Sequence, residues 1–249
     1  MKAMILAAGL GTRLHPLTDN RPKALVEIAG RTMLEIAISR LRAVGVRELI
    51  INVHHFAGMI VDYLKASENF GLRIEISREQ TLLDTGGGLK LAGWFFLEDS
   101  DRTQEPFLLH NVDVVSTIDL RRMLQFHVEQ KALATLAVQA RETSRYLLFD
   151  EQLQLCGRRS GADAAPEVVR PSPRIQARGF CGIHIISPRL LTMMTEEGAF
   201  SIIGSYLRLA ARGEKIIACD ADEYYWRDLG TPESVSQAAQ EIANFATPK

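Results

Sequence analysis

Two glycines, an arginine and a lysine cluster near the N-terminus, in Ala8-Gly9-Leu10-Gly11-Thr12-Arg13 and Arg21-Pro22-Lys23. They follow a short apolar run, Met4 to Ala8, that reads as a buried strand. Glycines at the end of such a strand let the backbone turn tightly and aim N–H groups at an anion. Arg13 adds a planar fork suited to phosphate oxygens, and Lys23 adds a point charge held by the stiff Pro22 before it. The chemistry this combination suits is the holding of a phosphate.

Neither of the two common phosphate loops is present. A P-loop needs Gly-Lys followed by Ser or Thr, and the chain contains no Gly-Lys pair. A dinucleotide loop needs a third glycine for close helix packing, and Leu14 stands there. Pro16 and the Thr18-to-Lys23 run also do not suit the helix that such a loop opens. The plain alternative is that Arg13 and Lys23 are solvated turn residues. Both cations following a buried first strand favour a binding role.

Asp113 closes a second apolar run, Phe107 to Asp113, and the carboxyl end of a parallel strand is where α/β proteins bind ligands. A turn or helix-capping aspartate before Ile118-Asp119-Leu120 is the plain alternative. His54 and His55 have no third ligand at metal spacing, and the other histidines are scattered. Asn52 could lie near a ligand but has no independent support. No Gly-x-Ser-x-Gly elbow marks a hydrolase. Trp94-Phe95-Phe96 reads as packing or a subunit contact.

Leu6-Ala7-Ala8-Gly9-Leu10-Gly11-Thr12-Arg13-Leu14 followed by Arg21-Pro22-Lys23-Ala24-Leu25 resembles the signature of the sugar-1-phosphate nucleotidyltransferases, also called nucleotide-sugar pyrophosphorylases. The match continues through Leu82 to Lys90, His110 to Val114 and Trp226 to Glu233, so it covers nearly the whole chain. The resemblance implies a Rossmann-like three-layer α/β/α fold with a mostly parallel, mixed central sheet. It implies attack of a sugar 1-phosphate on a nucleoside triphosphate, which yields an NDP-sugar and pyrophosphate. Such chemistry calls for positioning and charge stabilisation more than a protein nucleophile.

By the same resemblance, Arg13, Lys23 and Asp113 are the catalytic residues, and Asp113 and Asp228 hold Mg²⁺. Ala8, Gly9, Gly11, Thr12, Arg13, Lys23, Glu79, Thr85 and Gly86 bind the nucleotide. Three glycines, Gly86 to Gly88, would let a flat base approach the backbone. Ionised Glu79 can only accept hydrogen bonds, which suits the N3–H of uracil or the N1–H and amino group of guanine. Asn111, Arg145, Gly179, Gly182 and Glu197 border the sugar. The family pattern usually has glycine where this chain has Val112, and often where it has Asp84.

Asp-Thr-Gly-Gly-Gly on a compact chain is similar to the N-acetylmuramate-1-phosphate uridylyltransferases, so UTP is the expected donor. The alternative is a guanylyltransferase acting on mannose- or heptose-type 1-phosphates. A reading of another class is a non-catalytic regulatory subunit that binds sugar nucleotides, against which the retention of Arg13, Lys23, Asp113 and Asp228 speaks. The motifs do not name the sugar. No hexapeptide-repeat region follows, so acetyl transfer is not implied.

The elements that must position these residues follow from periodicity. Strands are expected at 4–8, 48–53, 72–77, 106–112 and 134–139, with helices at 32–44, 56–65, 89–94 and 119–130. This alternation argues for parallel strands with helices on both faces. Beyond Arg141 the pattern loosens: a hairpin from 146–149 and 153–155, a polar loop over 157–173, and strands at 179–186 and 215–218. Helices are expected at 202–211 and 232–245, the last with Thr231 as N-cap and Pro232 at its first position. No linker is evident, so residues 1–249 read as a single nucleotidyltransferase domain. Its nucleotide-binding part is about 1–140 and its sugar-binding part about 141–249.

The 249 residues carry 29 Lys+Arg and 30 Asp+Glu, a formal net charge of -1 that gives no footprint for nucleic acid or an anionic membrane. No run reaches the ~20 apolar residues of a membrane helix, and the first residues are no signal peptide. Cys156, Cys181 and Cys219 form no CxxC pair, so a reduced, cytoplasmic setting without disulfides is expected. Oligomeric state stays open, with room for a homo-oligomer.

Overall fold

The computed structural model describes residues 1–98, 104–161 and 164–246, with side chains as far as Glu241. The chain enters β1 (Lys2–Leu6), makes 3-10 turns at Thr12–Leu14 and Lys23–Leu25, and forms a small hairpin of β2 (Glu27–Ile28) and β3 (Arg31–Thr32). Next come α1 (Met33–Ala43), β4 (Glu48–Val53), α2 (Ala57–Ala66), β5 (Arg73–Arg78), α3 (Asp84–Leu91) and α4 (Trp94–Leu97). β6 (Phe107–Asn111), β7 (Val114–Ser116), α5 (Leu120–Gln130) and β8 (Ala134–Gln139) follow. The later elements are β9 (Arg145–Phe149), β10 (Leu155–Ser160), β11 (Glu167–Val168), β12 (Gln176–Ile186), α6 (Arg189–Thr192), α7 (Ile202–Ala211), β13 (Ile216–Asp220), β14 (Trp226–Asp228) and α8 (Pro232–Ala246).

The chain divides into two compact units. The first gathers three separated stretches: Met1–Leu82, His110–Thr117 and Trp226 onward. Here β1 and β5 flank β4 in parallel, with Ile5 opposite Ile51 and Ile50 opposite Glu75. β4 is buried from Leu49 to Val53, which explains its nearly unbroken apolar run. Thr32 caps α1 by accepting from the Glu35 N–H at 3.0 Å, and that helix buries Met33, Leu34, Ala37, Ile38 and Leu41. β7 and β14 form a two-stranded antiparallel ribbon in which Asp228 lies opposite Val114.

The second unit comprises Leu83–Leu109 and Ile118–Tyr225. Its long central strand β12 runs antiparallel to both β8 and β9, while β13 joins β8 in parallel. β9, β10 and β11 continue antiparallel. Strand pairing is therefore parallel in the first unit and mixed in the second, largely antiparallel around β12. The apolar core of this unit includes Leu136, Ile183, Ile185 and Tyr206, all fully buried.

The regular elements lie where periodicity puts them, β4, β8 and α7 to the residue. Three expectations are corrected. The helix expected at 89–94 begins at Asp84, because the three glycines are themselves helical, and it ends at Leu91. The hairpin's second strand is Leu155–Ser160 rather than 153–155, since Asp150 accepts from the N–H groups of Gln152 and Gln154 and extends the turn. The polar stretch 157–173 is not all loop: β10 runs through its start and Glu167–Val168 pairs back on Gly157 and Arg158. Residues 162–163 of that stretch lie outside the described residues. No described helix is long and apolar enough to cross a membrane.

Candidate active site

In the first unit, β1 delivers the chain to Ala8, which is buried, and to Gly9 and Gly11 beyond it. Gly11 has φ +68, and a Cβ there would lie 3.0 Å from Thr18 Cγ2 and 3.2 Å from Lys23 Cβ. The glycine is required by conformation and by the closeness of Lys23. Buried Thr18 fixes the turn by donating its hydroxyl to the Gly11 carbonyl at 2.9 Å. At Gly9 the space beside the backbone is open. Thr12 and Arg13 start the 3-10 turn and are exposed.

Lys23 contacts the Asp113 carboxylate directly through its ammonium group, and both side chains are largely withdrawn from solvent. The Asp113 carbonyl accepts from the Leu229 N–H at 2.8 Å, and Asp228 sits across the ribbon from Val114. The ribbon thus sets two carboxylates side by side although they are far apart in the chain. Asp228 Oδ1 accepts from the Gly230 N–H at 2.9 Å. A side chain at Gly230 would strike Asp228 Oδ1 at 2.5 Å and Arg13 Nη2 at 2.7 Å, so Arg13 reaches this pair only because residue 230 is glycine. Burial, then the neighbouring Asp113, raises the Asp228 pKa, and Lys23 and Arg13 pull it back.

Val112 does not disturb this arrangement. Its φ is not in the left-handed region, its side chain is buried, and its N–H donates to the Leu6 carbonyl at 3.1 Å. Asn111 ends β6 just before it and is partly exposed. The preceding His110 is fully buried, with Nδ1 on the Asn111 carbonyl at 2.7 Å and Nε2 without a partner among the described residues. Burial and the charge of Arg40 lower its pKa to about 4.

Glu79 lies beyond β5 and is buried. Its Oε1 accepts from Asn52 Nδ2 at 2.7 Å, and Asn52 Oδ1 accepts from the Ala7 N–H, also at 2.7 Å. Asn52 therefore joins the Glu79 carboxylate to the start of the glycine loop. The sequence signal for this is a single amide in an otherwise apolar buried strand. His54 is occupied by the Glu79 carbonyl at 2.9 Å. Among the described residues no group of three or more His, Cys, Asp and Glu gathers as a metal cage.

In the second unit Gly86 and Gly87 pack closely against the loop before α7. The N–H of Gly86 donates to the Phe200 carbonyl at 2.9 Å, and a Cβ on Gly86 would collide with the Phe200 ring. A Cβ on Gly87 would collide with the Gly198 carbonyl oxygen. Thr85 Oγ1 accepts from the Ile202 N–H at 3.0 Å. Asp84 stands at φ +58 and accepts from the Thr85 N–H at 2.6 Å, which accounts for both the usual glycine and the tolerated aspartate.

The sugar-side glycines have local causes too. Gly179 leaves room for Arg141, whose guanidinium would be 2.9 Å from a Cβ there and which donates to the Phe180 carbonyl at 2.8 Å. Gly182, at φ +72, sits in the bulge between Phe180 and His184 where β12 shifts register against β8. Arg145 is exposed at the start of β9, on the opposite face from Tyr146. The guanidinium that lies over Tyr146, at 5.0 Å from the ring centre, belongs to Arg159, which the sequence does not single out. Glu197 is exposed in the loop before Gly198.

Residues 2–148 match the model of the nucleotidyl transferase family. The chain belongs to this family. It is 33% identical to N-acetylmuramate alpha-1-phosphate uridylyltransferase from Caulobacter vibrioides, over 97% of this chain and 96% of that protein. It is 30% identical to mannose-1-phosphate guanyltransferase from Yarrowia lipolytica over 94% of its own length, but it spans only 61% of that longer relative. In fold it superposes on UDP-glucose pyrophosphorylase from Acinetobacter baumanii with a TM-score of 0.80, at 17% identity, covering 98% of this chain and 94% of that one. The Rossmann-like α/β fold is thereby shared with nucleotidyltransferases of low sequence identity.

Proposed function

We propose that this enzyme transfers a uridylyl group from UTP to a sugar 1-phosphate, giving a UDP-sugar and pyrophosphate. The observation that carries the reading is the Lys23–Asp113 contact beside Asp228, set by the β7–β14 ribbon at the end of the glycine loop. An oxygen of the sugar phosphate attacks the α-phosphorus, the bond to the bridging oxygen of the β-phosphate breaks, and pyrophosphate departs with the electron pair. N–H groups around Gly9 and Gly11 hold the nucleotide phosphates. Arg13 braces the leaving pyrophosphate. Lys23 neutralises the α-phosphate region.

Asp113 and Asp228 would hold a Mg²⁺ ion. Two neighbouring hard carboxylates, one with its pKa raised by burial and by the other, form a donor set that a hard divalent cation would relieve. When bound, the ion supplies charge neutralisation on the phosphates. Glu79, oriented by Asn52, accepts from the base edge. Thr85 and Gly86 act from the segment that Phe200 fixes, and Asn111, Arg145, Gly179, Gly182 and Glu197 border the sugar. Residues 1–249 work as one nucleotidyltransferase domain, with nucleotide recognition in about 1–140 and sugar recognition in about 141–249. The setting is the cytoplasm.

Support for uridine comes from the relative matched over almost both full lengths, which is named for uridylyl transfer. Guanylyl transfer to a mannose- or heptose-type 1-phosphate is the second reading, because Glu79 also suits guanine and a guanyltransferase is 30% identical. The test is pyrophosphate release with Mg²⁺ across four nucleoside triphosphates and a panel of sugar 1-phosphates. Turnover with UTP and an amino-sugar-type 1-phosphate is expected. Preference for GTP selects the second reading, and nucleotide binding without turnover selects a regulatory subunit.

A further inference from the structure

The loop between α6 and α7 is tied down from three sides. Arg208, on α7, grips Glu196 with both arms of its guanidinium: Nε donates to Oε1 at 2.8 Å and Nη2 to Oε2 at 3.0 Å. The same Nη2 also donates to the Met193 carbonyl at 3.0 Å. Lys90, in the last turn of α3, donates to the Glu196 carbonyl at 2.5 Å. Further along, the loop meets the first turn of α3 in both directions. Gly86 N–H donates to the Phe200 carbonyl at 2.9 Å, and the Phe200 N–H donates to the Leu83 carbonyl at 3.1 Å. Ile202 N–H, at the start of α7, reaches Thr85 Oγ1 at 3.0 Å. The contact is close enough to need glycine, since a Cβ at 86 would collide with the Phe200 ring and one at 87 with the Gly198 carbonyl.

Two segments of separate assignment are thereby joined. One, Thr85–Gly86, is read as nucleotide-binding, and the other carries Glu197, which is read as sugar-binding. Glu197 is the immediate neighbour of the residue that Arg208 grips. A bidentate arginine–carboxylate pair fixes direction as well as distance, so it holds a loop more tightly than a single contact.

We propose that Arg208 and Glu196 are positioning residues that lock the Met193–Phe200 loop and, through it, hold Thr85–Gly86 and Glu197 in one shared geometry. Affinity for the nucleotide and for the sugar phosphate then depends on the same ion pair, although neither residue touches a substrate. The inference rests on the function proposed above.

The experiment compares wild type with Arg208→Met, Glu196→Gln and the swapped pair E196R/R208E. Hydrogen exchange of the unliganded proteins comes first. Gly86, Gly87 and Phe200 amides should exchange at least tenfold faster in the single variants, with β8 and β12 unchanged. Steady-state kinetics with the wild type's own donor and acceptor come second. KM for both substrates should rise about five- to tenfold while kcat changes less than threefold, and the swapped pair should recover part of the loss. Exchange that quickens only at Met193–Glu196, or a KM that rises for one substrate alone, overturns the proposal. If wild type turns nothing over, the function reading fails, and the exchange data still decide whether the pair locks both segments.

Discussion

The ribbon in the first unit and the clamped loop in the second are both built from charged side chains, yet they are opposites. At the ribbon, burial and then the neighbouring charge of Asp113 raise the Asp228 pKa, and two cations, Lys23 and Arg13, only partly offset them. On the loop, Glu196 receives both arms of Arg208, and those hydrogen bonds hold its pKa down at about 2. The first arrangement leaves a buried carboxylate only partly compensated; the second pairs acid and base directly through two hydrogen bonds, with only Arg208 Nη1 left without a partner among the described residues. On the proposed reading, strained charge marks the reacting site and paired charge the scaffold beside it.

The largest expected effect tests the partly compensated side. Lys23→Ala should lower kcat by roughly 10²–10³-fold, the range for removing one preorganised donor to transition-state charge, with the circular dichroism spectrum unchanged. A rate near wild type would remove Lys23 from the chemistry.

Next comes an acid effect in the second unit. His127 is buried, with Thr135 Oγ1 at 2.9 Å and Ser187 Oγ at 3.1 Å, and burial lowers its pKa to about 4. The folded state thus binds fewer protons than the unfolded one between the ordinary value of 6.5 and about 4. Stability is full above that window and is lost as pH falls through it, by up to about 3 kcal/mol. Denaturant titrations of His127→Gln at pH 7 and pH 4.5 should show a shallower decline than wild type. An unchanged slope would mean that His127 is not the group responsible.

Gly87→Ala should destabilise by about 2 kcal/mol, because the new methyl meets the Gly198 carbonyl although alanine favours helix. Gly204, inside α7, has nothing within 4 Å of the point where a Cβ would lie. Gly204→Ala should therefore stabilise, by about 0.5–1 kcal/mol. Equal signs in the two thermal melts would deny the packing role assigned to Gly87.

Asp228→Asn gives a smaller and opposite result on the ribbon. At pH 7 the raised pKa means that folding disfavours the ionised carboxylate, so the amide should raise the melting temperature while activity falls. A melting temperature that drops would show that Asp228 is satisfied after all, and the contrast with Glu196 would vanish.

Long elements with strong periodicity are legible in the sequence because burial repeats along them. α1 shows both its stripe and its Thr32–Glu35 cap, and β4 is apolar throughout. The glycine loop is legible because its residue types are rare together. The β7–β14 ribbon is not, since strands of three residues carry no period, and pairing Val114 with Asp228 depends on the fold as a whole. The triple glycine reads as room for a base, but a run of glycines cannot reveal that Gly86 and Gly87 also lie against Phe200 and Gly198, which only the fold brings there. Asn52 stands out in the sequence without a role, because its value lies in bridging Ala7 and Glu79, which only the parallel pairing of β1 and β4 brings within reach. Arg145 and Arg159 point to opposite faces because their strands are in antiparallel register, a parity that one shifted residue reverses.

The ribbon also sets an order of events during synthesis. Its first strand leaves the ribosome less than halfway along the chain, but its second emerges only after the whole of the other unit. The glycine loop and Lys23 are made early and wait, with Asp113 alone, for Asp228 to arrive. An unfinished chain can thus fold much of its second unit while its pair of carboxylates is still single. On the proposed reading, the pair that would hold the metal ion is complete only once Trp226 to Asp228 has followed the second unit out.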